Sequence, residues 1–373
     1  MKKRSICIAW FSLQIYVVGM SQGYVIGWGD DSSGQCTGVT SLTFSNGAFL
    51  PSAVPFSTGT VAIANQVLSD AVAIAAFRSS SLGLRRDGTV VGWGHNSMGQ
   101  LRGEPTPYPG RTNGVVRINN QILSNVVSIA GGNGFGMGLH KDGTVVSWGE
   151  KAYPVKLSNV VAISAGSFSE AYAVMSNGTV VSWNGEKAYS TYGQITSYPN
   201  LSNVVAVAIG EATHGPRAVA LKRDGTVALF RKDNHIYKIE TPPGGLSNVV
   251  ALAAGSNHTL ALKRDGTVVG WGLNAHGEAT GTPNLNPTNS FTSGMVTIDG
   301  KVLKNVVSIA ANTGYSMALK SDGTVVAWGH IHNDYRTPAT VPAGLSNVVA
   351  IAAGQFYSLA ITTNATVAER FRN

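Results

Sequence analysis

One unit of sequence decides the fold: Leu246-Ser-Asn-Val-Val-Ala-Leu-Ala-Ala-Gly255, His258-Thr-Leu-Ala-Leu-Lys263 and Asp265-Gly-Thr-Val-Val-Gly-Trp-Gly272. Its leading half recurs, with substitutions, at seven places that start at Leu68, Leu123, Leu157, Leu201, Leu246, Leu303 and Leu345. Its trailing half follows at Asp87, Asp142, Asn177, Asp224, Asp265 and Asp322, and a degenerate copy begins at Asn364. Self-similarity on this scale is the sequence signature of a repeat architecture.

Each unit is predicted to form strands. The Val-Val-x-Ile-Ala and Thr-Leu-Ala-Leu segments alternate large and small apolar residues with a period of two, and no helical period of 3.6 competes. Asp-Gly supplies the positive φ angles of a two-residue hairpin turn, so Val-Val-x-Trp is the returning strand. Large indole rings are expected to fill the wedges between neighbouring sheets. The tryptophans at this position are Trp28, Trp93, Trp148, Trp183, Trp271 and Trp328.

The spacing of the units predicts a β-propeller. The Asn residues of the leading halves, at Asn125, Asn159, Asn203, Asn248, Asn305 and Asn347, are 34 to 57 residues apart. A period of about 45 residues with three or four strands per unit fits propeller blades. Three inserts with an alternating strand, turn and strand pattern start at Gly59, Gly114 and Gly294, and they predict an additional hairpin at one rim.

The two ends of the repeat array predict how the ring closes. Tyr24-Val-Ile-Gly-Trp-Gly29 is a trailing half with no leading half before it, and the last leading half, from Leu345, lacks a good trailing half. Pairing the N-terminal strand with the C-terminal blade completes both and removes exposed sheet edges. The predicted fold is therefore all-β, a single seven-bladed β-propeller over residues 23–373 that is closed by this pairing.

Residues 1–22 differ from the repeats and have the layout of a signal peptide. Lys2, Lys3 and Arg4 precede an almost uncharged, mostly apolar run from Ile6 to Met20. This run is shorter than the roughly 20 residues of a membrane-spanning helix. We therefore predict a cleaved export signal and a secreted, periplasmic or cell-envelope location. A buried strand or helix at the domain edge and a retained membrane anchor are the alternatives.

Export would also determine which cysteines remain in the mature chain. Cys7 lies in the predicted signal, so the mature chain keeps Cys36 alone and cannot form an intramolecular disulfide. The whole chain has a net charge of +8, but its Lys and Arg residues form no dense stripe interleaved with aromatic residues. We expect a monomer with no nucleic-acid partner and no membrane association once the signal is removed.

The chain resembles the regulator of chromosome condensation repeat family, whose blades share the patterns Trp-Gly-x-Asn-x-x-Gly-Gln and Gly-x-x-His-Thr-x-Ala-Leu-x-x-Asp-Gly. The first pattern appears as Trp93-Gly-His-Asn-Ser-Met-Gly-Gln100 and Trp271-Gly-Leu-Asn-Ala-His-Gly-Glu278. The second appears as Gly255-Ser-Asn-His-Thr-Leu-Ala-Leu-Lys-Arg-Asp-Gly266. The likeness covers nearly all of residues 23–373 and implies a seven-bladed propeller.

The function that this resemblance implies depends on the location of the protein. The nuclear founder of the family is a guanine-nucleotide exchange factor for a small GTPase on chromatin, and an exported chain would meet neither. The chain is also similar to a secreted bacterial β-lactamase-inhibitory protein of this fold, through the segments 271–283 and 339–342. That protein binds its target through aromatic loop residues on one face. This second likeness implies an exported, bacterial, protein-binding propeller.

Catalytic chemistry is not indicated. The sequence has no Gly-x-Ser-x-Gly elbow, no phosphate-binding glycine loop and no His-Glu-x-x-His. The Asp-Gly carboxylates occupy equivalent turns that a ring keeps apart, whereas paired glycosidase carboxylates lie about 5–9.5 Å apart. His330, His332 and Asp334 have ligand-like chemistry, but a metal site needs a further ligand that the sequence does not indicate. We expect no catalytic residue, no metal and no cofactor.

The loops that vary between otherwise similar copies are the candidate binding site. Just after each Ala-x-Gly segment the chain leaves the inner strand and crosses one face of the disc. The candidate partner-binding residues are Arg78, Phe135, Phe168, His214, Arg217, His258, Tyr315, Phe356 and Tyr357. Arginine and aromatic side chains grouped on one face are typical of binding hot spots. The alternative is that these rings turn inward and plug the mouth of the channel.

The predicted function is a secreted protein-binding or inhibitory propeller scaffold that uses loops on one face and is not an enzyme. An extracellular carbohydrate-active or other propeller enzyme is one alternative, and it requires acidic or metal-ligating residues that converge at the axis. A structural module of the cell envelope, or a regulator that resembles a guanine-nucleotide exchange factor, is another. The expected partner is a protein whose identity the sequence does not define.

Overall fold

The computed structural model describes residues 23–38, 56–107, 110–153, 155–166, 170–184, 195–210, 217–230, 242–286, 290–329 and 340–372. Within these ranges the chain forms antiparallel strands and one short helix. In chain order the elements are β1 (Tyr24–Asp30), β2 (Phe56–Thr60), β3 (Ala62–Ile63), β4 (Gln66–Val67), β5 (Ala71–Phe77), β6 (Ser80–Arg85), β7 (Val90–His95), β8 (Arg111–Val115), β9 (Arg117–Ile118), β10 (Gln121–Ile122), β11 (Val126–Gly132), β12 (Phe135–His140), β13 (Val145–Trp148), β14 (Val160–Ala165), β15 (Glu170–Met175), β16 (Val180–Asn184), β17 (Thr196–Ser197), β18 (Val204–Gly210), β19 (Arg217–Lys222), β20 (Val227–Phe230), β21 (Val249–Ala254), β22 (His258–Lys263), β23 (Val268–Leu273), β24 (Phe291–Met295), β25 (Thr297–Ile298), β26 (Lys301–Val302), β27 (Val306–Asn312), β28 (Tyr315–Lys320), β29 (Val325–Gly329), β30 (Val348–Ala353), β31 (Tyr357–Thr362) and α1 (Ala365–Arg370).

The strands build a seven-bladed β-propeller, as the sequence predicted. Blade 1 contains β5–β8, blade 2 β11–β13, blade 3 β14–β17, blade 4 β18–β20, blade 5 β21–β24 and blade 6 β27–β29. Blade 7 contains β30, β31, β1 and β2. The first strand of each blade contacts the first strands of both neighbouring blades, so these strands surround the central axis.

Blade 7 closes the ring by combining the two ends of the repeat array. Strand β1 lies between β31 and β2, with Gly27 opposite Leu359 on one side and opposite Gly59 on the other. Gly23, just before β1, also forms a bridge to Asp70, just before β5, and so ties blade 7 to blade 1. The predicted pairing of the N-terminal strand with the C-terminal blade is confirmed.

The three predicted inserts form short hairpins, β3–β4, β9–β10 and β25–β26. Each one follows the fourth strand of a blade and leads into the first strand of the next blade. Their turns use residues at positive φ, such as Asn65 at 64°, Asn120 at 63° and Asp299 at 50°. Asn and Asp tolerate this left-handed conformation because their short polar side chains can bond to the local backbone.

The Asp-Gly turns differ from the predicted two-residue form. In blade 1 the Arg85 N–H donates to the Thr89 carbonyl and the Gly88 N–H donates to the Arg85 carbonyl, so three residues form the loop. Gly88 has the positive φ, at 81°. This is a type I turn followed by a left-handed glycine. The Asp87 carboxylate accepts from the Thr89 N–H and hydroxyl at 2.9 and 2.6 Å, which explains the recurrent Asp-Gly-Thr sequence.

The recurrent Asn of the leading half joins successive blades. It has a positive φ of 53° to 61° at Asn125, Asn159, Asn203, Asn248, Asn305 and Asn347. At the start of blade 2, the next residue, Val126, donates its N–H to the Gly88 carbonyl in the turn of blade 1, at 3.1 Å. The left-handed Asn therefore positions the first strand of a blade against the Asp-Gly-Thr turn of the blade before it.

Apolar layers between the blades form the core. The six described tryptophans lie in these layers, and each is at most 5% exposed: Trp28, Trp93, Trp148, Trp183, Trp271 and Trp328. Their predicted role as wedges is confirmed. Burying a large apolar side chain stabilises a fold by roughly 1.5–3 kcal/mol, so these layers are major contributors to stability. Cys36 is a buried free thiol.

Candidate functional site

The two faces of the disc carry different loops. On the face that we call the loop face, the first strand of each blade turns into the second, and the third strand leads to the fourth. On the opposite face, the turn face, Asp-Gly-Thr turns join the second and third strands. These turns repeat with little change, whereas the loop-face segments differ in length and sequence. The loop-face segments therefore vary between all the copies, whereas the variation of the turn face lies in the three extra hairpins.

Three loop-face segments are each built around one buried polar side chain. The segments follow β1, β7 and β23 and carry Asp31, Asn96 and Asn274 at the equivalent position. In each case a side-chain oxygen accepts the backbone N–H five residues further on, at 2.7 to 2.9 Å. Asn96 and Asn274 also donate through Nδ2 to the carbonyls of Glu104 and Thr282, at 2.9 and 2.7 Å. The three loops are thus held from within by hydrogen bonds.

A glycine just before the tryptophan lets these loops pack on their sheets. A Cβ atom on Gly27, Gly92 or Gly270 would lie only 2.2, 2.5 or 1.8 Å from a backbone oxygen of the loop. No side chain fits at such distances, so the loop can pack on the sheet only where this position is glycine. Blades without the Trp-Gly-x-Asn/Asp-x-x-Gly-Gln/Glu pattern have a larger residue at this position, namely Ser147, Ser182, Leu229 or Ala327.

The same three loops bind their blade to the next one. The backbone carbonyl of the Gln or Glu that ends the pattern accepts the indole N–H of the following blade's tryptophan, a bond that we call the tryptophan latch. The pairs are Gln35–Trp93 at 2.8 Å, Gln100–Trp148 at 2.9 Å and Glu278–Trp328 at 3.1 Å. A buried hydrogen bond contributes about 1 kcal/mol net, and leaving one partner unsatisfied costs about 1–3 kcal/mol. Each latch therefore holds a joint between blades.

A contact between a histidine and a serine resembles a catalytic base and nucleophile, but it is structural. His258 Nε2 lies 2.8 Å from Ser316 Oγ. The Ser316 hydroxyl donates to the Glu278 carbonyl at 2.8 Å, so its proton is already used. His258 is 1% exposed and Ser316 is fully buried, so a substrate cannot reach either group. The contact joins blade 5 to blade 6.

Four of the candidate partner-binding side chains are buried: Phe135, His258, Tyr315 and Tyr357 are 2%, 1%, 0% and 0% exposed. Each begins the second strand of its blade and points into a joint between blades. The Tyr315 hydroxyl donates to the Tyr357 carbonyl at 2.6 Å, and the Tyr357 hydroxyl lies 2.8 Å from Ser81 Oγ. The expectation that these rings are exposed is wrong: Phe135 packs in an apolar cluster between blades, and the polar atoms of His258, Tyr315 and Tyr357 form bonds between blades. A binding role for the surrounding loops stays a prediction.

Arg78 and Phe356 remain at the surface of the loop face. Arg78 is exposed and has a φ of 46°, which is uncommon for a residue with a side chain. Its guanidinium donates to the Asn133 side chain of blade 2 at 3.3 Å, and its carbonyl accepts the Gln355 N–H of blade 7 at 3.4 Å. Arg78 therefore bridges three blades, and the half-buried Phe356 follows one of its contacts.

Other candidate residues cannot be placed. Phe168 and His214 lie outside the described residues, and Arg217 is described only through its backbone, as the first residue of β19. The cluster of residues 330–334 also lies outside them. Among the ranges that the structure describes, no group of three or more His, Cys, Asp or Glu side chains is placed to hold a metal ion. The absence of metal, cofactor and catalytic residues stays a prediction.

Asp31 is the charged member of the three equivalent loop positions. It is 8% exposed, and burial raises the pKa of its carboxyl above the usual value. Hydrogen bonds from the Thr37 hydroxyl, at 2.6 Å, and from the Cys36 N–H, at 2.7 Å, offset part of this increase in pKa. A buried carboxylate thus occupies a position where the two other loops have a neutral amide.

Replacing Asp31 with asparagine is expected to stabilise the protein at pH 7 by about 1 kcal/mol, the size of one buried hydrogen bond. Asn274 shows the arrangement, because its Nδ2 donates to the hydroxyl of Thr280, the counterpart of Thr37. A raised pKa means that the folded state holds the Asp31 proton more tightly than the unfolded state. Wild-type stability is therefore lost as the pH rises through the folded-state pKa.

The measurement for Asp31→Asn is urea unfolding of the variant and the wild type at pH 4 and pH 7. The gain in free energy of unfolding should be larger at pH 7, where the wild-type carboxyl must ionise. Equal gains at the two pH values would show that the charge of Asp31 has no part in the effect.

Two segments of the chain match the repeat of a known protein family. The model of the regulator of chromosome condensation (RCC1) repeat matches residues 72–100 and 249–278. These segments lie in blades 1 and 5 and end at Gln100 and Glu278, the acceptors of two tryptophan latches. The fold and its joints define a seven-bladed repeat propeller. The two matched segments are repeats of the regulator of chromosome condensation type, and the propeller as a whole is similar to the proteins of that family.

Yeast proteins are among the relatives. Protein pim1 of Schizosaccharomyces pombe is 24% identical over 189 residues, which are 48% of this chain and 29% of pim1. Guanine nucleotide exchange factor SRM1 of Saccharomyces cerevisiae is 31% identical over 108 residues, which are 28% of this chain and 22% of SRM1. The crystal structure of Prp20p from Saccharomyces cerevisiae, described with its binding properties to Gsp1p and histones, covers 94% of each chain with a TM-score of 0.64 and 17% identity. The chain thus spans less than a third of the length of these curated relatives, and the structural likeness shows the fold.

The prediction of a secreted, periplasmic or cell-envelope location is wrong. The relatives are eukaryotic regulators of the nuclear and cytoplasmic type, and nothing in the comparisons supports an export signal or the bacterial likeness. The basic start and apolar run of residues 1–22 lie outside the described residues. In the described part of the chain, no helix has the length and apolar character needed to cross a membrane. A monomeric state and the absence of a nucleic-acid partner stay predictions.

Proposed function

We propose that the protein is a regulator that binds a small GTPase through its loop face and accelerates guanine-nucleotide exchange. This partner and activity were an alternative in the sequence analysis, and two observations support them. One relative is named as a guanine nucleotide exchange factor, and the relative of known structure is described with its binding to Gsp1p. Both relatives carry the same type of repeat, which makes a protein partner of this class the best-supported choice.

Nucleotide exchange requires a rigid complementary surface and no covalent chemistry from the factor. A factor that binds the nucleotide-free GTPase more tightly than the nucleotide-bound form weakens nucleotide binding by the same ratio, because the two binding free energies are coupled. Preorganised surfaces lose little conformational entropy when they bind. The closed ring, the tryptophan latches and the internally bonded loops of blades 1, 5 and 7 supply such a surface.

The exposed, strained Arg78 is the observation that supports a GTPase-binding site on the loop face. Its left-handed backbone costs roughly 1–3 kcal/mol, and strain of this kind is concentrated at functional sites. Arginine is also enriched among the residues that dominate binding energy. The guanidinium is held by Asn133 and remains exposed beside the axis, where a partner that covers the loop face must meet it.

The test is the release of a fluorescent GDP analogue from Gsp1p, measured with the wild type, Arg78→Glu and Lys141→Glu. The wild type should accelerate release. Arg78→Glu should slow the accelerated release about tenfold, which corresponds to about 1.4 kcal/mol of lost interaction with the partner. Lys141 is an exposed cation on the turn face, so Lys141→Glu is the matched control and should keep wild-type activity.

Three results would contradict the proposal in different ways. If the wild type binds Gsp1p without accelerating release, the protein is a binding regulator and not an exchange factor. If Lys141→Glu reduces release as much as Arg78→Glu, the loop face is not the binding face. If the wild type neither binds Gsp1p nor accelerates release, the GTPase assignment is wrong.

A further inference from the structure

Basic side chains lie at the tips of the turns on the turn face. The residue just before the Asp-Gly-Thr sequence is an exposed cation in blades 1, 2, 4 and 5, namely Arg86, Lys141, Arg223 and Arg264. A second, half-buried cation lies one residue earlier in blades 1, 4, 5 and 6, namely Arg85, Lys222, Lys263 and Lys320. These residues belong to different repeats, so the fold brings to one surface charges that are far apart in the sequence.

The carboxylates of the same turns fold back onto the backbone. Asp265 Oδ1 accepts the Thr267 hydroxyl at 2.6 Å and the Thr267 N–H at 3.0 Å, and Asp224 is held by Thr226 in the same way. These hydrogen bonds lower the pKa of both carboxyls, so both are ionised at neutral pH. The arginine next to each aspartate has a longer side chain that extends its charge toward solvent. A partner that approaches the turn face therefore meets guanidinium groups before carboxylates.

The two faces of the disc differ in their balance of charge. Further exposed cations of the turn face lie in the links between blades, in the extra hairpins and at α1, and they are Lys156, Lys304, Arg117, Lys301, Arg370 and Arg372. Among the described side chains of this face, the cations outnumber the carboxylates, which are Asp70, Asp87, Asp142, Asp224, Asp265, Asp299, Asp322 and Glu369. On the loop face, the described carboxylates Asp30, Asp31, Glu104, Glu150, Glu170 and Glu278 outnumber the described cations Arg78, Arg102, Arg111 and Lys151. The turn face is thus the positive face.

Exposed aliphatic side chains lie among the cations of the turn face. Ile122 of β10 and Val302 of β26 occupy equivalent positions in two of the extra hairpins and are 47% and 40% exposed. Val302 directly follows Lys301, and Met295 at the turn-face end of β24 is 37% exposed. On an anionic bilayer, cations are attracted to the headgroups and aliphatic groups enter the boundary with the acyl chains. The turn face combines both kinds of side chain.

We propose that the turn face binds the surface of an anionic lipid bilayer. A flat bilayer fits cations that are spread around a whole disc, whereas a nucleic acid follows a stripe or groove. A phosphate backbone also offers no partner to aliphatic side chains, and no exposed aromatic side chain that could stack on a base is among the described residues of this face.

This proposal replaces the expectation of no membrane association, which rested on a sequence in which these cations belong to separate repeats. It does not depend on the proposed function, because the loop face points away from a bilayer that covers the turn face.

The first part of the test is co-sedimentation of the full chain with vesicles of phosphatidylcholine alone or with about 30% phosphatidylserine. The wild type should bind the anionic vesicles, less tightly as salt is added, and should not bind phosphatidylcholine. A cation near an anionic surface strengthens binding about fivefold, so Arg223→Gln/Arg264→Gln should bind about 30-fold more weakly. The control Arg78→Gln/Lys151→Gln removes the same charge from the loop face and should keep wild-type affinity.

Two results of this first part would overturn the proposal. One is a wild type that does not bind the anionic vesicles. The other is an equal loss of binding in the two double variants, which would show that net charge and not the turn face decides. Urea unfolding of each variant shows that its fold is retained.

The second part separates a bilayer from other polyanions. Ile122→Ser/Val302→Ser should weaken binding to the anionic vesicles about tenfold, because two aliphatic side chains no longer enter the interface. Leu285→Ser/Phe291→Ser changes exposed apolar residues at the loop-face side of blade 5 and should have no effect. If Ile122→Ser/Val302→Ser keeps its affinity and short duplex DNA displaces the wild type from the vesicles, the face recognises negative charge alone and the bilayer proposal is overturned.

Discussion

Replacing Tyr357 with alanine is expected to lower the free energy of unfolding by about 4 kcal/mol, as deletion of a fully buried aromatic side chain does. Tyr357 is 0% exposed, and its hydroxyl contacts Ser81 Oγ and donates to the Ser80 carbonyl of blade 1. The substitution therefore removes both apolar packing and a polar bond at the joint that closes the ring. Urea unfolding followed by tryptophan fluorescence measures the loss.

Two variants serve as controls for Tyr357→Ala. Phe356→Ala changes the neighbouring, half-buried ring and should cost less than about 1.5 kcal/mol, because less apolar area leaves the core. Tyr357→Phe removes only the hydroxyl and should cost about 1–2 kcal/mol. If Phe356→Ala destabilised the protein as much as Tyr357→Ala, the placement of Tyr357 in the joint between blades 7 and 1 would be wrong.

Replacing Gly270 with alanine is expected to destabilise the protein by about 3 kcal/mol, at the upper end of the usual cost of overpacking. The added Cβ would lie 1.8 Å from the Ala279 backbone oxygen, so the loop must leave the sheet. Its departure also moves the Glu278 carbonyl that accepts the Trp328 indole N–H. The effect should appear in urea unfolding and in faster proteolysis of the loop after β23.

Ala327 of blade 6 is the matched control, because it occupies the position of Gly270 in a blade without that loop. Ala327→Gly should cost no more than about 1 kcal/mol, the ordinary penalty for glycine in a strand. A loss of stability in Gly270→Ala no larger than in Ala327→Gly would show that the loop does not depend on close contact with the sheet.

The repeat pattern predicted most of the fold because the sequence pattern of each strand and turn recurs in several copies within one chain. The spacing of the repeats predicted the number of blades and the three extra hairpins. The trailing half-repeat at Tyr24, which has no leading half before it, predicted that β1 closes the ring. The turn type did not, since Asp-Gly is compatible with two-residue and three-residue loops. The Thr that follows each Asp-Gly or Asn-Gly pair is what the longer turn uses, as Thr89 does with Asp87.

The candidate site was harder to predict, because a variable aromatic residue near a loop has two explanations. Tyr315, Tyr357 and His258 begin strands, and their side chains enter the joints between blades. One feature of the sequence could have indicated this: the serine that meets His258, Ser316, directly follows the equivalent ring position of the next blade. Bonds between blades are non-local, and a pattern within one repeat does not show them.

The location was predicted wrongly for a different physical reason. A few basic residues followed by about 15 apolar ones describe an export signal, but the same composition suits a strand or helix packed at the edge of a domain. Composition alone does not separate these structures. The relatives of the repeat region decided against export, because they are eukaryotic regulators of the nuclear and cytoplasmic type.

The closed ring is the central claim, since the joints and the loop face depend on it, and a disulfide across its seam tests it most directly. Tyr24 lies opposite Thr362 in the pairing of β1 with β31, and opposed residues of antiparallel strands are close enough for an S–S bond. In oxidised Tyr24→Cys/Thr362→Cys, mass spectrometry of the digested protein should find residues 24 and 362 in one cross-linked peptide. The register control Tyr24→Cys/Ile361→Cys should remain reduced, because neighbouring strand residues point to opposite faces. No cross-link between 24 and 362, or an equal yield between 24 and 361, would contradict closure of the propeller by its N-terminal strand.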